Sequence, residues 1–271
     1  MNIKEIIRKA LEEDLGNGDH TSLATIPSTA KGKAQLLIKE EGIMAGTDIG
    51  KQVFTTVDPA TRVHIRLHDG QPVKPGDIVM EVEGRAISIL SAERLALNFM
   101  QRMSGIATYT HKLTSLIRGY NCTLLDTRKT TPLLRELEKY AVKAGGGENH
   151  RMGLFDMIMI KDNHVDFAGG LKNAIEATRK YLVAKKMDLK IEVEVRNFDE
   201  LEEVLGLGGI DRIMLDNFSP EDMAKAVKKI NGRYETEASG GITEKNIVGY
   251  AATGVDYISI GALTHRIKSL D

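Results

Sequence analysis

The sequence has little cysteine, no excess of charge of either sign and no long hydrophobic run. Cys122 is the only cysteine among 271 residues, which excludes an internal disulfide framework and a zinc site built from several cysteines. Lysine and arginine total 37 against 38 aspartate and glutamate residues, so a general role on nucleic acids or membrane surfaces lacks the basic charge it would need. No apolar run approaches ~20 residues, and the charged start MNIKEIIRKALEEDLG does not resemble a signal peptide. We therefore expect a cytoplasmic protein that binds neither nucleic acid nor membranes.

The first third of the chain predicts a small α/β unit. Apolar residues at helical spacing indicate a helix over Ile3–Leu15, followed by a polar loop that reaches Thr21. Three alternating strands are then predicted, at residues 34–39, 63–67 and 78–82. A long helix is predicted over residues 91–103, and after Gly105 a second helical stretch reaches Arg118 and could form the hinge between the domains. We expect an N-terminal domain over residues 1–104, with the C-terminal tail able to pack on it.

The rest of the chain, residues 105–271, repeats a strand, a polar or glycine-bearing tip and a helix. The apolar runs are residues 122–126, 157–161, 191–195, 212–216, 236–239 and 257–261. Strands that alternate with helices indicate a parallel sheet, and six of them can close or nearly close into an α/β barrel. The chemistry of such barrels lies at the carboxyl ends of the strands.

Basic side chains lie at the tips of the first two of these strands and in the loop between them. They are Arg128, Lys129, His150, Arg151 and Lys161, with Arg102 upstream. Two unit charges ~4 Å apart interact with about 1 kcal/mol in water and about 4 kcal/mol at an effective dielectric constant of 20, so a partly dehydrated anion is held well by such a set. We expect a pocket for a small molecule with several negative charges.

Ordinary surface ion pairs are the alternative explanation for basic residues. They suit one helix of this region, whose charged residues lie at pairing distances: Arg135, Glu136, Glu138 and Lys139. His150 is open between donating to a substrate carboxylate and satisfying loop carbonyls, and its loop, residues 145–151, is expected to be flexible.

Acidic residues and glycines mark the other strand ends. Glu194 and Asp216 end the third and fourth strands and could hold Mg²⁺ or a ribose hydroxyl, or simply pair with nearby lysines. Glu192 shares a strand face with Glu194 but lies deeper, so it is the weaker candidate. The small tips Ser239-Gly240-Gly241 and Gly261 follow the last two strands, where barrels often bind phosphate. Cys122, Met157 and Met159 are expected to fill the core.

Long motifs resemble one known family, quinolinate phosphoribosyltransferase, also called the carboxylating nicotinate-nucleotide pyrophosphorylase. The resemblance runs nearly end to end and begins at Glu13 with EDLGNGDHT. It continues in the segments NFMQRMSGIAT from Asn98, DTRKTTP from Asp126, KAGGGENHRMGL from Lys143, IKDNH from Ile160, EVE from Glu192, LDN from Leu215 and EASGGI from Glu237.

The resemblance implies a fold and a reaction. The fold is an N-terminal α/β sandwich domain joined to an open six-stranded α/β barrel of the type II phosphoribosyltransferase kind. The reaction joins quinolinate and 5-phosphoribosyl 1-diphosphate, with Mg²⁺, to give nicotinate mononucleotide, CO₂ and diphosphate in de novo NAD biosynthesis. The protein would be a homodimer, with a higher oligomer left open.

The resemblance also implies roles for matching residues. The quinolinate pocket would be lined by Arg128, His150, Arg151 and Lys161, with Thr127 and Lys129 nearby and Arg102 from the partner subunit. The ribose and the metal would be handled by Glu194 and Asp216, in part through substrate phosphates, and the 5-phosphate would be bound by Ser239, Gly240, Gly241 and Gly261. The catalytic set would be Lys129, Lys161, Glu194 and Asp216.

Three alternatives stay open. A paralogue on the same scaffold could use another aromatic acid or act beside molybdate transport. A carrier module at the Lys74–Asp77 hairpin lacks the tip sequence that bears lipoyl or biotinyl lysine. A phosphate-binding isomerase would need an acid/base pair that the sequence does not reveal.

Overall fold

The computed structural model describes residues 2–271, which fall into two compact units. The N-terminal unit comprises the chain up to Lys112 together with Lys129–Gly147 and Ala262–Asp271. The barrel unit comprises Leu113–Arg128 and Glu148–Gly261. The predicted domain boundary between residues 104 and 105 stays a prediction.

Two small antiparallel sheets and several helices form the first part of the chain. In chain order the elements are α1 (Ile3–Leu15), α2 (His20–Thr25), β1 (Lys31–Leu37), β2 (Gly42–Ile43), α3 (Thr47–Val57), β3 (Arg62–Ile65), β4 (Pro72–Val73), β5 (Ile78–Arg85) and α4 (Ala86–Leu116). One sheet has the order β1-β5-β3 and the other pairs β2 with β4. The predicted helix over Ile3–Leu15 is confirmed. The predicted loop is shorter than expected, because the Asp19 carboxylate accepts the Ser22 N–H at 3.1 Å and starts α2 at His20.

Helix α4 is continuous, so the predicted division into two helical stretches at Gly105 is wrong. A Cβ atom at Gly105 would lie 2.2 Å from the carbonyl oxygen of Lys268. The C-terminal tail also donates the Leu270 N–H to the Gln101 carbonyl at 3.0 Å. Glycine is therefore needed inside α4 for close packing of the tail, and the helix tolerates its low propensity.

The barrel unit contains six parallel strands, as predicted. They are β6 (Thr123–Leu125), β7 (Ile158–Ile160), β8 (Ile191–Val195), β9 (Arg212–Asp216), β10 (Glu235–Ser239) and β11 (Tyr257–Ser259). The remaining helices along the chain are α5 (Arg135–Ala144), α6 (Asp162–Ala168), α7 (Leu171–Lys185), α8 (Phe198–Leu207), α9 (Pro220–Ile230), α10 (Ile247–Ala251) and α11 (Ala262–His265). The sheet order is β6-β11-β10-β9-β8-β7, so β6 and β7 are the edges of an open barrel sheet.

Burial follows from this arrangement. All five residues of β8 are buried, as expected of a central parallel strand covered on both faces. The carboxyl ends of the six strands share one edge of the sheet, which we call the mouth. None of the helices in residues 2–271 combines the length and apolar character needed to cross a bilayer.

Candidate active site

An acidic pair and a lysine meet at the ends of three neighbouring strands. Lys161 follows β7 directly, Glu194 is the penultimate residue of β8, and Asp216 is the last residue of β9. The Lys161 ammonium lies 2.5 Å from Glu194 Oε2, so Glu194 adopts the lysine pairing that the sequence left open. The pKa of Asp216 is raised, first by burial and then by the negative charge of Glu194. The structure thus brings these three side chains together at the mouth.

The next strand supplies a tight backbone turn beside Asp216. Asn217 has a φ of 56° and donates its backbone N–H to the Ser239 carbonyl at 2.9 Å. Gly240 has a φ of 90°, and a Cβ atom there would lie 2.2 Å from Asn217 Oδ1. Gly241 follows with a φ of 63°, whereas helix α10 starts only at Ile247. The backbone N–H groups that can bind an anion here therefore belong to a glycine turn and not to the first turn of a helix.

We expect Gly240→Ala to damage this turn. The new side chain meets Asn217 and also adopts a φ that costs an L-residue about 1–3 kcal/mol. Gly232 is a matched control, because its φ is 68° but a Cβ atom there has no neighbour within 4 Å. Gly240→Ala should weaken the binding of inorganic phosphate about tenfold, an effect that Gly232→Ala should not share. Equal phosphate affinities of the two variants would show that the turn is not part of the site.

Two guanidinium groups, those of Arg128 and Arg151, lie close together in the barrel unit. Arg128 lies three residues beyond the end of β6, and Arg151 lies in the loop that leads to β7. Arg151 donates to the Met157 carbonyl at 3.2 Å. Its pKa is lowered, first by burial and then by the positive charge of Arg128. Two like charges held near each other are unfavourable in themselves, so the pair is suited to an anion with more than one negative charge.

A buried charged cluster lies below the mouth, and sequence reasoning largely missed it. The imidazole Nε2 of His150 lies 2.9 Å from Glu192 Oε2 and 3.3 Å from Glu237 Oε2. Arg212 Nη1 lies 3.0 Å from Glu237 Oε2. Glu192 lies deeper than Glu194, as predicted, and burial together with the charge of Glu237 raises its pKa to about 7.

One sequence signal could have revealed this cluster. Glu192, Arg212 and Glu237 occupy inward positions of central strands, where apolar residues are the rule.

The loop over residues 145–151 was expected to be flexible, but Glu148 forms a bridge with Leu125 and His150 is 8% exposed. His150 therefore contacts protein carboxylates, which the sequence did not predict, and its predicted role toward a substrate carboxylate stays a prediction.

Arg102 and Lys129 belong to the N-terminal unit. Arg102 donates from Nε to Glu138 Oε1 at 2.8 Å and from Nη2 to the Thr131 hydroxyl at 2.8 Å. The carbonyl of Lys129 accepts the Thr264 hydroxyl at 2.7 Å. Thr127 lies in the loop after β6, between Asp126 and Arg128.

The prediction of surface ion pairs on helix α5 is wrong for Glu138 and Lys139, which are buried. Glu138 is 1% exposed and Lys139 is 0% exposed, whereas Glu136 is exposed. Glu138 can be buried because its carboxylate accepts a hydrogen bond from Arg102. Arg102 lies 36 residues earlier in the sequence, so the spacing of residues within α5 does not reveal it.

The core predictions for single residues mostly hold. Met157 and Met159 are buried, as expected. Cys122 is half-buried and precedes β6 rather than lying in it. Burial raises the pKa of its thiol to about 12, so it stays protonated and is a poor nucleophile.

The chain is similar to known proteins over nearly its whole length. Family models described as quinolinate phosphoribosyl transferase, N-terminal domain and C-terminal domain, match residues 19–104 and 106–271. The chain is 46% identical to quinolinate phosphoribosyltransferase [decarboxylating] 2b, mitochondrial, of Nicotiana tabacum, across all of this chain and 81% of that protein. It is 42% identical to the probable nicotinate-nucleotide pyrophosphorylase [carboxylating] of Bacillus subtilis, across all of this chain and 92% of that protein. The solved nicotinate-nucleotide pyrophosphorylase of Francisella tularensis superposes with a TM-score of 0.93 at 41% identity, covering 99% of this chain and 94% of that one.

Proposed function

We propose, since the chain belongs to the quinolinate phosphoribosyltransferase family, that it transfers the phosphoribosyl group of 5-phosphoribosyl 1-diphosphate to quinolinate. The products would be nicotinate mononucleotide, CO₂ and diphosphate, in NAD biosynthesis. The observations that carry the proposal are the proximity of the Arg128 and Arg151 guanidinium groups and, in the same unit, the meeting of Lys161, Glu194 and Asp216 at the mouth. Family membership leaves no support for the carrier and isomerase alternatives.

The Arg128 and Arg151 guanidinium groups suit the two carboxylates of quinolinate. Arginine presents a planar fork that bonds a carboxylate through two parallel N–H groups. Arg128 and Arg151, together with Lys161 at the end of β7, would neutralise the ring carboxylates and orient the pyridine nitrogen toward ribose C1. This is catalysis by positioning, because no side chain forms a covalent bond to the substrate.

The bond changes follow from that orientation. The ring nitrogen forms a bond to ribose C1 while the bond from C1 to the diphosphate oxygen breaks, and the diphosphate leaves with the electron pair. The carboxylate next to the nitrogen then departs as CO₂. Its bonding electrons remain on the ring carbon, where the neighbouring cationic nitrogen stabilises them until a proton is taken up. Glu194 and Asp216 would steady the ribose as positive charge develops on it.

The acidic side offers oxygen donors of the kind that Mg²⁺ prefers. Mg²⁺ is usually held by one or two carboxylates together with substrate phosphates, and the mouth presents Asp216 and the Lys161-bound Glu194. These two carboxylates would hold the ion, in part through the substrate. When bound, Mg²⁺ would neutralise the diphosphate leaving group, a task to which Lys129 would contribute.

The turn after β10 is the proposed site of the 5-phosphate. Ser239 ends β10 beside Asp216, Gly240 and Gly241 follow it, and Gly261 lies just beyond the end of β11. Backbone N–H groups there would bind phosphate oxygens without any net charge on the protein.

Arg102 is proposed to reach the pocket of the partner subunit in a homodimer. Its Nε and Nη2 atoms are fixed by Glu138 and Thr131, while its Nη1 atom has no hydrogen-bond partner among residues 2–271. An arginine held on one side is preorganised to donate on the other. A cytoplasmic location is likewise proposed, from the reducing environment that a lone cysteine suits.

The test is incubation of the purified protein with quinolinate, 5-phosphoribosyl 1-diphosphate and Mg²⁺. We expect nicotinate mononucleotide to accumulate in proportion to enzyme. Replacing quinolinate with nicotinate removes one carboxylate and should lower kcat/KM by about a hundredfold or more, because the basic pair is then left partly unpaired. Comparable use of nicotinate would favour a paralogue with another aromatic acid.

A further inference from the structure

The interior of the barrel unit is charged where parallel barrels are usually apolar. Glu192 in β8 pairs in register with Arg212 in β9, and Glu237 lies in the neighbouring β10. Both glutamates are 0% exposed. Among residues 2–271, the Oε1 atoms of both are buried without a hydrogen-bond partner. Buried carboxylates are costly unless they are paired, so this cluster needs an explanation beyond packing.

His150 connects the cluster to the mouth. Its Nε2 atom faces Glu192 and Glu237, at 2.9 and 3.3 Å. Its Nδ1 atom accepts the backbone N–H of Arg151 at 2.7 Å, which assigns the tautomer with the proton on Nε2. The two carboxylates therefore fix the ring through one nitrogen, and the ring fixes the backbone of Arg151 through the other.

The same residue also ties together the two chain segments that carry the arginines. The backbone N–H of His150 donates to Asp126 Oδ1 at 2.9 Å. Asp126 precedes Arg128 by two residues, and its own N–H donates to the Glu148 carbonyl at 3.2 Å. A shift of His150 would therefore move both guanidinium groups of the pair.

A metal ion is the competing explanation for the cluster. One ligand atom each of His150, Glu192 and Glu237 lies within 4.8 Å of the others, which is a spacing a metal could bridge. However, the Arg212 guanidinium already lies 3.0 Å from Glu237 and stacks 4.0 Å from the centre of the Tyr257 ring. A fixed positive charge at this distance opposes a second cation, so the arginine is the counter-ion of the cluster.

We propose that Glu192 and Glu237 are positioning residues that act through His150 to hold Arg151 beside Arg128 in the geometry that accepts the two carboxylates of quinolinate. The inference rests on the proposed function. His150 is accordingly a positioning residue of the pocket, and the strained proximity of two guanidinium groups is maintained from below by a buried hydrogen-bonded cluster.

The test compares two substitutions at one position. Glu192→Leu removes the acceptor for His150 Nε2, whereas Glu192→Gln keeps an oxygen that can accept the same hydrogen. We expect the leucine variant to raise the KM for quinolinate about tenfold, with the KM for the diphosphate donor unchanged and the glutamine variant close to wild type. Should the Glu192→Leu variant not fold, Glu237→Leu removes the second, more distant acceptor and is expected to raise the same KM about threefold.

Glu235→Gln is the matched control. Glu235 lies on the same strand as Glu237 and also pairs with Arg212, at 3.0 Å, but its carboxylate is partly exposed at the start of the strand, the end away from the mouth. Its loss should leave both KM values unchanged. An equal rise of both KM values in Glu192→Leu, a fall of kcat alone, or no change would overturn the proposal.

Two further outcomes separate the possible failures. The metal content of the purified proteins is the first. If the wild-type protein contained one equivalent of divalent metal and Glu192→Leu contained none, the cluster would be a metal site and the positioning role would be wrong. Absence of turnover by the wild-type protein would instead show that the proposed function fails, and the inference would fall with it.

Discussion

Replacing Arg151 with alanine is expected to lower kcat/KM for quinolinate by about a hundredfold to a thousandfold. Truncating one partner of a buried, hydrogen-bonded charge pair costs about 2–5 kcal/mol, and each 1.36 kcal/mol corresponds to a factor of ten in rate. Most of the effect should appear in the KM for quinolinate, because the guanidinium is proposed to bind the ground state and the transition state alike. Steady-state kinetics with each substrate varied in turn measures the division.

Two companion variants make this result specific. Arg151→Lys keeps the charge but loses the planar fork, so it should recover only part of the affinity. Arg233→Ala removes an exposed arginine whose Nε donates to the Ile230 carbonyl at 3.2 Å, and it should leave the kinetics unchanged. Wild-type values of kcat and of the KM for quinolinate in Arg151→Ala would show that the pocket has been placed wrongly.

Asp216→Asn is expected to lower kcat by about a hundredfold, because electrostatic groups aimed at developing charge are worth a factor of about 10²–10³ each. The carboxylate and the amide have the same shape, so only the negative charge beside the proposed ribose site is lost. The KM for quinolinate should stay within about twofold of wild type, since the acidic side of the mouth does not contact the ring carboxylates in this account.

Asp188→Asn provides the control for charge alone. Asp188 is exposed in the segment between α7 and β8, so its substitution changes the net charge equally without touching the mouth. A fall of kcat in both variants would point to a general electrostatic effect. Unchanged kcat in Asp216→Asn would remove this residue from the catalytic set.

The parallel barrel sheet was predictable because its signal is local. Each strand is a short apolar run followed by a tip with a charged or small residue, and β7, β8 and β9 bring three such tips together at Lys161, Glu194 and Asp216. Parallel strands carry their carboxyl ends to one edge, so the order of residues along the chain is enough to place these side chains.

The buried charges were not predictable from the same kind of reasoning. Helical spacing placed Glu138 and Lys139 on a solvated face, but the partner of Glu138 is Arg102, far away in the sequence. His150 likewise finds Glu192 and Glu237 across 42 residues or more, through strand register. A local pattern tells which side chains share an element, whereas the identity of a buried ion-pair partner depends on tertiary packing.

Gly105 shows the same limit for glycine. Inside a helical pattern it predicts a break, since glycine is a weak helix former. The structure instead uses it to admit the Lys268 carbonyl against a continuous α4. The reason for the glycine lies 163 residues further along the chain, where no periodicity in α4 can reveal it.

The most direct measurement of the central claim is the yield of labelled CO₂ from quinolinate labelled in the carboxyl group next to the ring nitrogen. The proposed reaction releases one CO₂ for each nicotinate mononucleotide formed, and only when 5-phosphoribosyl 1-diphosphate is present. Nucleotide formation without CO₂, or CO₂ release that does not require the diphosphate donor, would contradict it.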